Sequence, residues 1–361
     1  MHQLLEKIVL VAKICGNKIQ TLSYRLGAIV ITVAKKSYLN LKQYCCFVTK
    51  TIKLKWPFVR NRLVQYYYLI KLKWPFVRNR LVQYYYLIRL DKPVGILLLL
   101  WPVLWALWIA AEGNPDTDVL IIFITGVIVM RSAGCVLNDL ADRNLDRHIS
   151  RTRDRPITSG KVKPLEAIAV TAVLLLCALI LVLNLNNLSF KLSFVAVFLA
   201  IIYPFMKRVT YLPQVFLGLA FAWAVPMAFA AQTNSVPDIA WLLFITTVLW
   251  AVVYDTMYAM VDKADDILIG VKSTAILFDD ADRIIIGSIQ LMILFSQILT
   301  GTKLELGKYY FAGIACASLL SVYQQYLIKN RIPGNCFRAF LNNQWYGMII
   351  FAGIFLNYTF G

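Results

Sequence analysis

Acidic residues are scarce in this chain, with 19 Asp and Glu among 361 residues against 37 Lys and Arg. Histidine is scarcer still: His2 and His148 are the only two, too few for a histidine metal site, and His148 reads as a loop residue. Charged residues of both signs make up 16% of the chain while 60% is apolar, which excludes an ordinary soluble domain. No nucleic-acid partner is expected. The seven cysteines (Cys15, Cys45, Cys46, Cys135, Cys177, Cys316 and Cys336) are odd in number, scattered and never at metal-knuckle spacing. They read as apolar filler rather than a disulfide framework or a metal site.

What replaces charge is a set of apolar stretches of about 18 to 22 residues, each long enough to cross a bilayer as a helix. The expected fold is all-α: a polytopic membrane protein of about nine spans, at 94–111, 118–137, 165–183, 188–206, 212–231, 238–260, 284–300, 308–328 and 339–359. Lys and Arg concentrate in alternate loops. Arg143, Arg147, Arg151, Arg153, Arg155, Lys161 and Lys163 lie between the second and third spans, and Lys207, Arg208, Lys263, Lys272, Arg283, Lys329, Arg331 and Arg338 occupy the matching later loops. The opposite loops hold Lys303 and Lys308, with Lys191 near a helix end. By the positive-inside rule the first set faces the cytoplasm.

The first ninety residues lack acid almost entirely. Residues 7–90 carry seventeen Lys and Arg and no Asp or Glu, so with Glu6 this segment holds +16 of the chain's +18. Within it, residues 53–70 recur unchanged as 71–88. An 18-residue unit is five helical turns, about 27 Å, so a helical second copy would keep the same face. Two identical copies resemble a duplication more than a structural repeat, which diverges and comes in threes. Residues 1–84 are therefore expected to be a non-catalytic basic extension. The alternatives are an interfacial segment on an anionic leaflet and an organelle presequence.

The few acids gather at two places, both at the ends of apolar spans. One is Asn138-Asp139-Leu140-Ala141-Asp142-Arg143-Asn144-Leu145-Asp146; the other runs from Tyr254-Asp255 to Asp262-Lys263-Ala264-Asp265-Asp266. On a helix Asp139, Asp142 and Asp146 would fall within roughly 60° of one another, and Asp255, Asp262 and Asp266 within about 40°. Like charges on one stripe repel, and carboxylates beside hydrocarbon point to function. Divalent cations between the stripes explain both. Hard oxygen ligands of this kind favour Mg²⁺ bound together with a substrate's phosphates, so a diphosphate is the expected ligand. Arg147, Arg151, Arg153 and Arg155 suit it because guanidinium pairs with phosphate in a planar fork. Lys207 and Arg208, at a helix end, are placed to reach a substrate anion. Arg131 lies inside an apolar span, where an unpaired cation is costly, so it is expected to pair with a motif carboxylate or to hold a substrate carboxylate.

These residues resemble the UbiA-type aromatic prenyltransferases over about 85–361. The likeness is carried by Arg89-Leu90-Asp91-Lys92-Pro93-Val94-Gly95, by Trp101-Pro102, by Arg131 and Gly134-Cys135 before the Asn-Asp cluster, and by Arg151-Thr152, Arg155-Pro156 and Ser159-Gly160. It continues in Tyr203-Pro204-Phe205-Met206-Lys207-Arg208, in Tyr254-Asp255-Thr256 and Tyr258-Ala259-Met260, and in Ile269-Gly270-Val271-Lys272-Ser273-Thr274. Asp154, before Arg155, and the N-terminal extension depart from the family pattern.

The resemblance implies helices around a central lipid-accessible cavity. It also implies Mg²⁺-dependent transfer of a polyprenyl group from polyprenyl diphosphate to the ring carbon ortho to the hydroxyl of 4-hydroxybenzoate, in ubiquinone biosynthesis. Carried over to this chain, it gives Asn138, Asp142, Asp146, Asp262 and Asp266 to the metal. Asp139, Asp255 and Arg208 fall to catalysis, and Arg131, Arg151, Arg155, Lys207, Arg208 and Lys272 to substrate binding. A bacterial inner membrane is the implied location, with the mitochondrial inner membrane as the alternative. Two other functions stay open: another aromatic acceptor within the superfamily, and a cation-coupled transporter. The transporter fits less well because few acids lie near the membrane midplane. Chain length of the donor and oligomeric state are not legible.

Overall fold

The structure is a computed structural model and describes residues 74–149 and 151–361. The first copy of the duplicated block and the opening of the second, to residue 73, lie outside the described residues, as do His2, Cys15, Cys45 and Cys46. Gln83–Gly361 form one compact unit. Among the described residues there are helices and no strands.

After a helical stretch at 74–87, eleven α-helices follow. They are α1 Val94–Ala110, α2 Thr117–Asp142, α3 Pro164–Val182, α4 Asn187–Val209, α5 Pro213–Ala222, α6 Ala224–Thr233, α7 Asp238–Ile269, α8 Thr274–Phe278, α9 Asp282–Lys303, α10 Lys308–Ile328 and α11 Pro333–Phe360. Their ends follow ordinary capping chemistry. Pro164, Pro213 and Pro333 open helices where a missing N–H costs nothing, and the Asn186 side chain accepts from the Ser189 N–H at 2.9 Å. Gly270, at φ 72°, closes α7 in the left-handed conformation that glycine adopts without strain.

Seven spans are long and apolar enough to cross a membrane, with α5 and α6 counting as one and α8 and α9 as another. Helix α1 is apolar but one residue short at 17 residues. Helix α11 has the length, yet Asn335, Arg338, Asn342, Asn343 and Gln344 make its first half polar. The expected nine spans are thus not confirmed as a count; each lies on described helix, and two miss on length or polarity. The span expected at 212–231 is two ten-residue helices meeting at Trp223, because Pro226 has no N–H to return to the Ala222 carbonyl.

Helices α1, α7, α9, α10 and α11 share the main core. Trp105 and Trp250 pack with their rings tilted by 35° at 5.4 Å between centroids, and a Cβ at Gly347 would come within 2.5 Å of the Trp101 ring. Glycine is required there, and Trp105 Nε1 donates to its carbonyl at 3.1 Å. Polar side chains inside this core pair with one another, as hydrocarbon demands: Gln290 with Gln324, Gln324 with Asn342, Trp250 with Asn343 and Tyr346 with Gln297. Outward faces carry exposed apolar side chains such as Leu165, Phe198, Leu291 and Phe295, which suits a lipid-facing surface. The chain is a polytopic membrane protein.

Candidate active site

Helix α2 runs out of its apolar stretch and ends at Asp142, so Asn138, Asp139 and Asp142 share its last turns. The stripe expected through Asp146 does not form as one helix. Asp146 opens a separate 3-10 turn at Asp146–His148, and Thr152 Oγ1 holds its carbonyl at 3.0 Å. What restores Asp146 to the cluster is Arg155. Its Nη1 donates to Asp139 Oδ1 at 3.0 Å and to Asp146 Oδ2 at 2.7 Å, clamping two carboxylates that would otherwise repel. Burial raises the Asp146 carboxyl above its usual range, and the Arg155 charge opposes that shift.

Asp139, Asp142 and Asp146 are all buried, and each carries a cation. The Lys207 ammonium, at the end of α4, donates to Asp142 Oδ2, while Asp142 Oδ1 is buried with no hydrogen-bond partner. Arg208 donates to the Ala141 carbonyl and lies 5.9 Å from the Phe205 ring centroid. Past α7, the Lys272 N–H donates to the Lys207 carbonyl at 3.0 Å and its ammonium to the Val209 carbonyl at 3.1 Å. The ends of α2, α4 and α7 are thereby tied together at one end of the bundle.

The second acidic cluster lies on α7 itself. Asp262 is gripped by Arg151, with Nε to Oδ1 at 3.1 Å and Nη2 to Oδ2 in a fork. The same guanidinium donates to the Tyr258 hydroxyl and sits 4.8 Å from that ring's centroid. Asp266 is buried in the last turn of α7. Asp255 stands about two turns deeper, seven residues before Asp262, and forms no ion pair among the described residues. Of the expected site residues, Asp139, Asp142, Asp146, Asp262, Arg151, Arg155, Lys207, Arg208 and Lys272 gather at this end.

Arg131 departs from the first of its two expected roles. It forms no ion pair among the described residues; Nη1 reaches the Cys135 thiol and Nε is buried without a partner. Its guanidinium edge presses against Gly95, where a Cβ would come within 2.5 Å of Nη2 and 2.6 Å of Nε. That explains the glycine of the first motif and leaves Arg131 with donors to spare. Two residues had not been singled out for the site. Arg89 pairs with Asp139 across 50 residues of sequence, and Tyr258 orients Arg151. Both stood inside the quoted motifs, which was the only available signal.

Among the described residues no three His, Cys, Asp or Glu side chains converge as a metal cluster by themselves. The donor set still fits a hard cation that arrives with a diphosphate. The acids are oxygen donors on two helices, Asp142 Oδ1 is a buried acceptor without a partner, and phosphate oxygens complete such a coordination shell.

The model of the UbiA prenyltransferase family matches residues 99–351 of the chain. The chain belongs to the UbiA prenyltransferase family. Its curated UbiA relatives include the 4-hydroxybenzoate octaprenyltransferase of Methylococcus capsulatus, 57% identical over 268 residues, covering 74% of this chain and 92% of that protein. The enzyme of the same name from Nitrosococcus oceani is also 57% identical, over 74% of this chain and 94% of its own length. Among solved structures, a UbiA homologue from Aeropyrum pernix K1 superposes with a TM-score of 0.65 at 24% identity, over 73% of this chain and 97% of that one. A UbiA homologue from Archaeoglobus fulgidus bound to GPP and Mg²⁺ gives a TM-score of 0.58 at 17% identity, over 75% and 99%. These two likenesses establish the UbiA fold.

Proposed function

We propose that this chain transfers a polyprenyl group from polyprenyl diphosphate to the ring carbon ortho to the hydroxyl of 4-hydroxybenzoate, in ubiquinone biosynthesis. The observation that carries the chemistry is the alternation of carboxylates and guanidiniums where α2, α4 and α7 meet. Arg151, Arg155 and Lys207 supply the planar forks and point charge that a diphosphate needs. The identity to 4-hydroxybenzoate octaprenyltransferases supports the acceptor.

Asn138, Asp142, Asp146, Asp262 and Asp266 would hold Mg²⁺ together with the diphosphate, and the bound ion would supply positive charge against the leaving group. The chain's own residues bind and orient. Arg155 and Arg151 take the phosphate oxygens as the allylic carbon–oxygen bond breaks, Lys207 and Arg208 draw the anion to the membrane edge, and Lys272 braces their helix end. The tail lies in a lipid-accessible cavity. Arg131, with donors unused, takes the acceptor's carboxylate. Asp139 Oδ1 is committed to two guanidiniums, so the proton lost from the ring goes to Asp255. The site faces the cytoplasm of a bacterial inner membrane, supported by the Lys and Arg in the loops beside it; the mitochondrial inner membrane is the alternative.

Acceptor choice tests the reading. Purified protein in lipid vesicles, given one polyprenyl diphosphate and a panel of aromatic acids and phenols, should prenylate 4-hydroxybenzoate with the highest kcat/KM. A higher value for another aromatic would move the chain to a different branch of the superfamily. Arg208→Ala should raise the KM for one substrate anion with little loss of folded protein, because a helix-end cation in water contributes little stability. Unchanged KM for both substrates would return Arg208 to topology. The basic extension is proposed to be dispensable: removing residues 1–80 should preserve product formation per membrane-inserted molecule. A truncated protein that inserts normally yet is inactive would place the extension in the site.

A further inference from the structure

Residues 84–88 complete the duplicated block and Arg89 follows it; these residues lie at the edge of the proposed extension, yet they are built into the site. Leu87 has no exposed surface and packs with Val136, Ile157, Val162 and Ala167, flanked by Tyr84 and Ile88. That seat joins the chain to the end of α2 and to the Arg155 loop at once. Directly after it, Arg89 takes φ 54°, the left-handed region that a side chain adopts only where its surroundings hold it. From that turn its guanidinium reaches Asp139 Oδ1, the same oxygen that accepts from Arg155 Nη1 at 3.0 Å. Two guanidiniums therefore share one carboxylate oxygen in a buried place, each limiting where the other can sit.

We infer that Arg89 is a positioning residue: by crowding Asp139 Oδ1 it holds Arg155 to one contact on that carboxylate, beside its contact to Asp146, and so keeps that guanidinium turned toward the donor's diphosphate. Neither guanidinium donates to Asp139 Oδ2; without Arg89 crowding Oδ1, Arg155 is free to swing onto both oxygens. A planar fork then closes between them and draws Arg155 off the phosphate. This rests on the proposed role of Arg155 toward the diphosphate.

The test uses the full chain in lipid vesicles, with Arg89→Ala, Arg89→Lys, Asp139→Asn and the Arg89→Ala/Asp139→Asn pair. Two quantities are read: KM for each substrate, and binding of inorganic diphosphate by calorimetry. Arg89→Ala should raise the donor KM and weaken inorganic diphosphate about tenfold, the scale seen when a residue that orients a binding group is lost. The acceptor KM should not move. Arg89→Lys should recover part of the loss, and the double variant should bind diphosphate no worse than Asp139→Asn alone, because both act through one contact. Losses that add in the double variant, or unchanged diphosphate binding in a folded Arg89→Ala or Arg89→Lys protein, would overturn the inference. A wild-type protein that binds inorganic diphosphate in an Arg89-dependent way but makes no prenylated hydroxybenzoate would instead defeat the proposed function alone. One that binds no diphosphate would defeat both.

Discussion

Asp142→Asn is expected to lower product formation at least about a hundredfold, the scale for losing one preorganised contact to developing charge. The amide keeps the size of the carboxyl, and the Lys207 side chain it would leave without an anion is 23% exposed and can turn to water. Folded protein should therefore persist while turnover falls. Asp142 is singled out because one oxygen is paired and the other, Oδ1, is buried without a partner. A buried acceptor left open costs free energy in the resting fold, and a ligand is the simplest reason to keep it. The measurement is initial rate at equal membrane abundance; near-normal activity would remove Asp142 from the metal and diphosphate.

The second large effect is expected at Asp262, where the alternative is sharper. Its visible role is to grip Arg151 in a fork. If gripping were its whole contribution, Asp262→Asn would cost no more than Arg151→Ala, which removes the gripped guanidinium itself. A carboxylate that also meets the cation with the diphosphate should cost more: about a hundredfold or greater for Asp262→Asn, by the argument used for Asp142. Arg151→Ala should act mainly on the donor KM. A loss in Asp262→Asn no larger than that in Arg151→Ala would reduce Asp262 to an arginine anchor.

The helices were readable from hydropathy because hydrocarbon demands long apolar runs, and α1, α3 and α10 end within a residue or so of the expected spans. Hydropathy marks where the bilayer stops, not where the helix does. Helices α2 and α7 continue five and nine residues past their expected ends at 137 and 260, to Asp142 and Ile269, and carry the acids with them. The break at Asp142 was not legible: helical spacing alone put Asp146 on the same face, and only the Arg155 clamp shows how a residue beyond the helix end rejoins it. The pairings themselves cross the chain. Arg89 meets Asp139, Lys207 meets Asp142 and Arg151 meets Asp262 over separations of 50, 65 and 111 residues, which no local pattern encodes. Residue types told of a diphosphate; which cation holds which carboxylate had to come from packing.

The most direct measurement of the central claim is the identity of the product. Vesicles holding the purified full chain would receive Mg²⁺, a polyprenyl diphosphate and ring-labelled 4-hydroxybenzoate, and the lipid extract would be resolved by mass and by NMR. The account predicts a single lipid product bearing the prenyl group on the carbon ortho to the hydroxyl, with inorganic diphosphate released in equal amount, and at least about a hundredfold less product from Asp142→Asn. A product prenylated on the oxygen, or diphosphate release without any carbon–carbon bond to the ring, would contradict it.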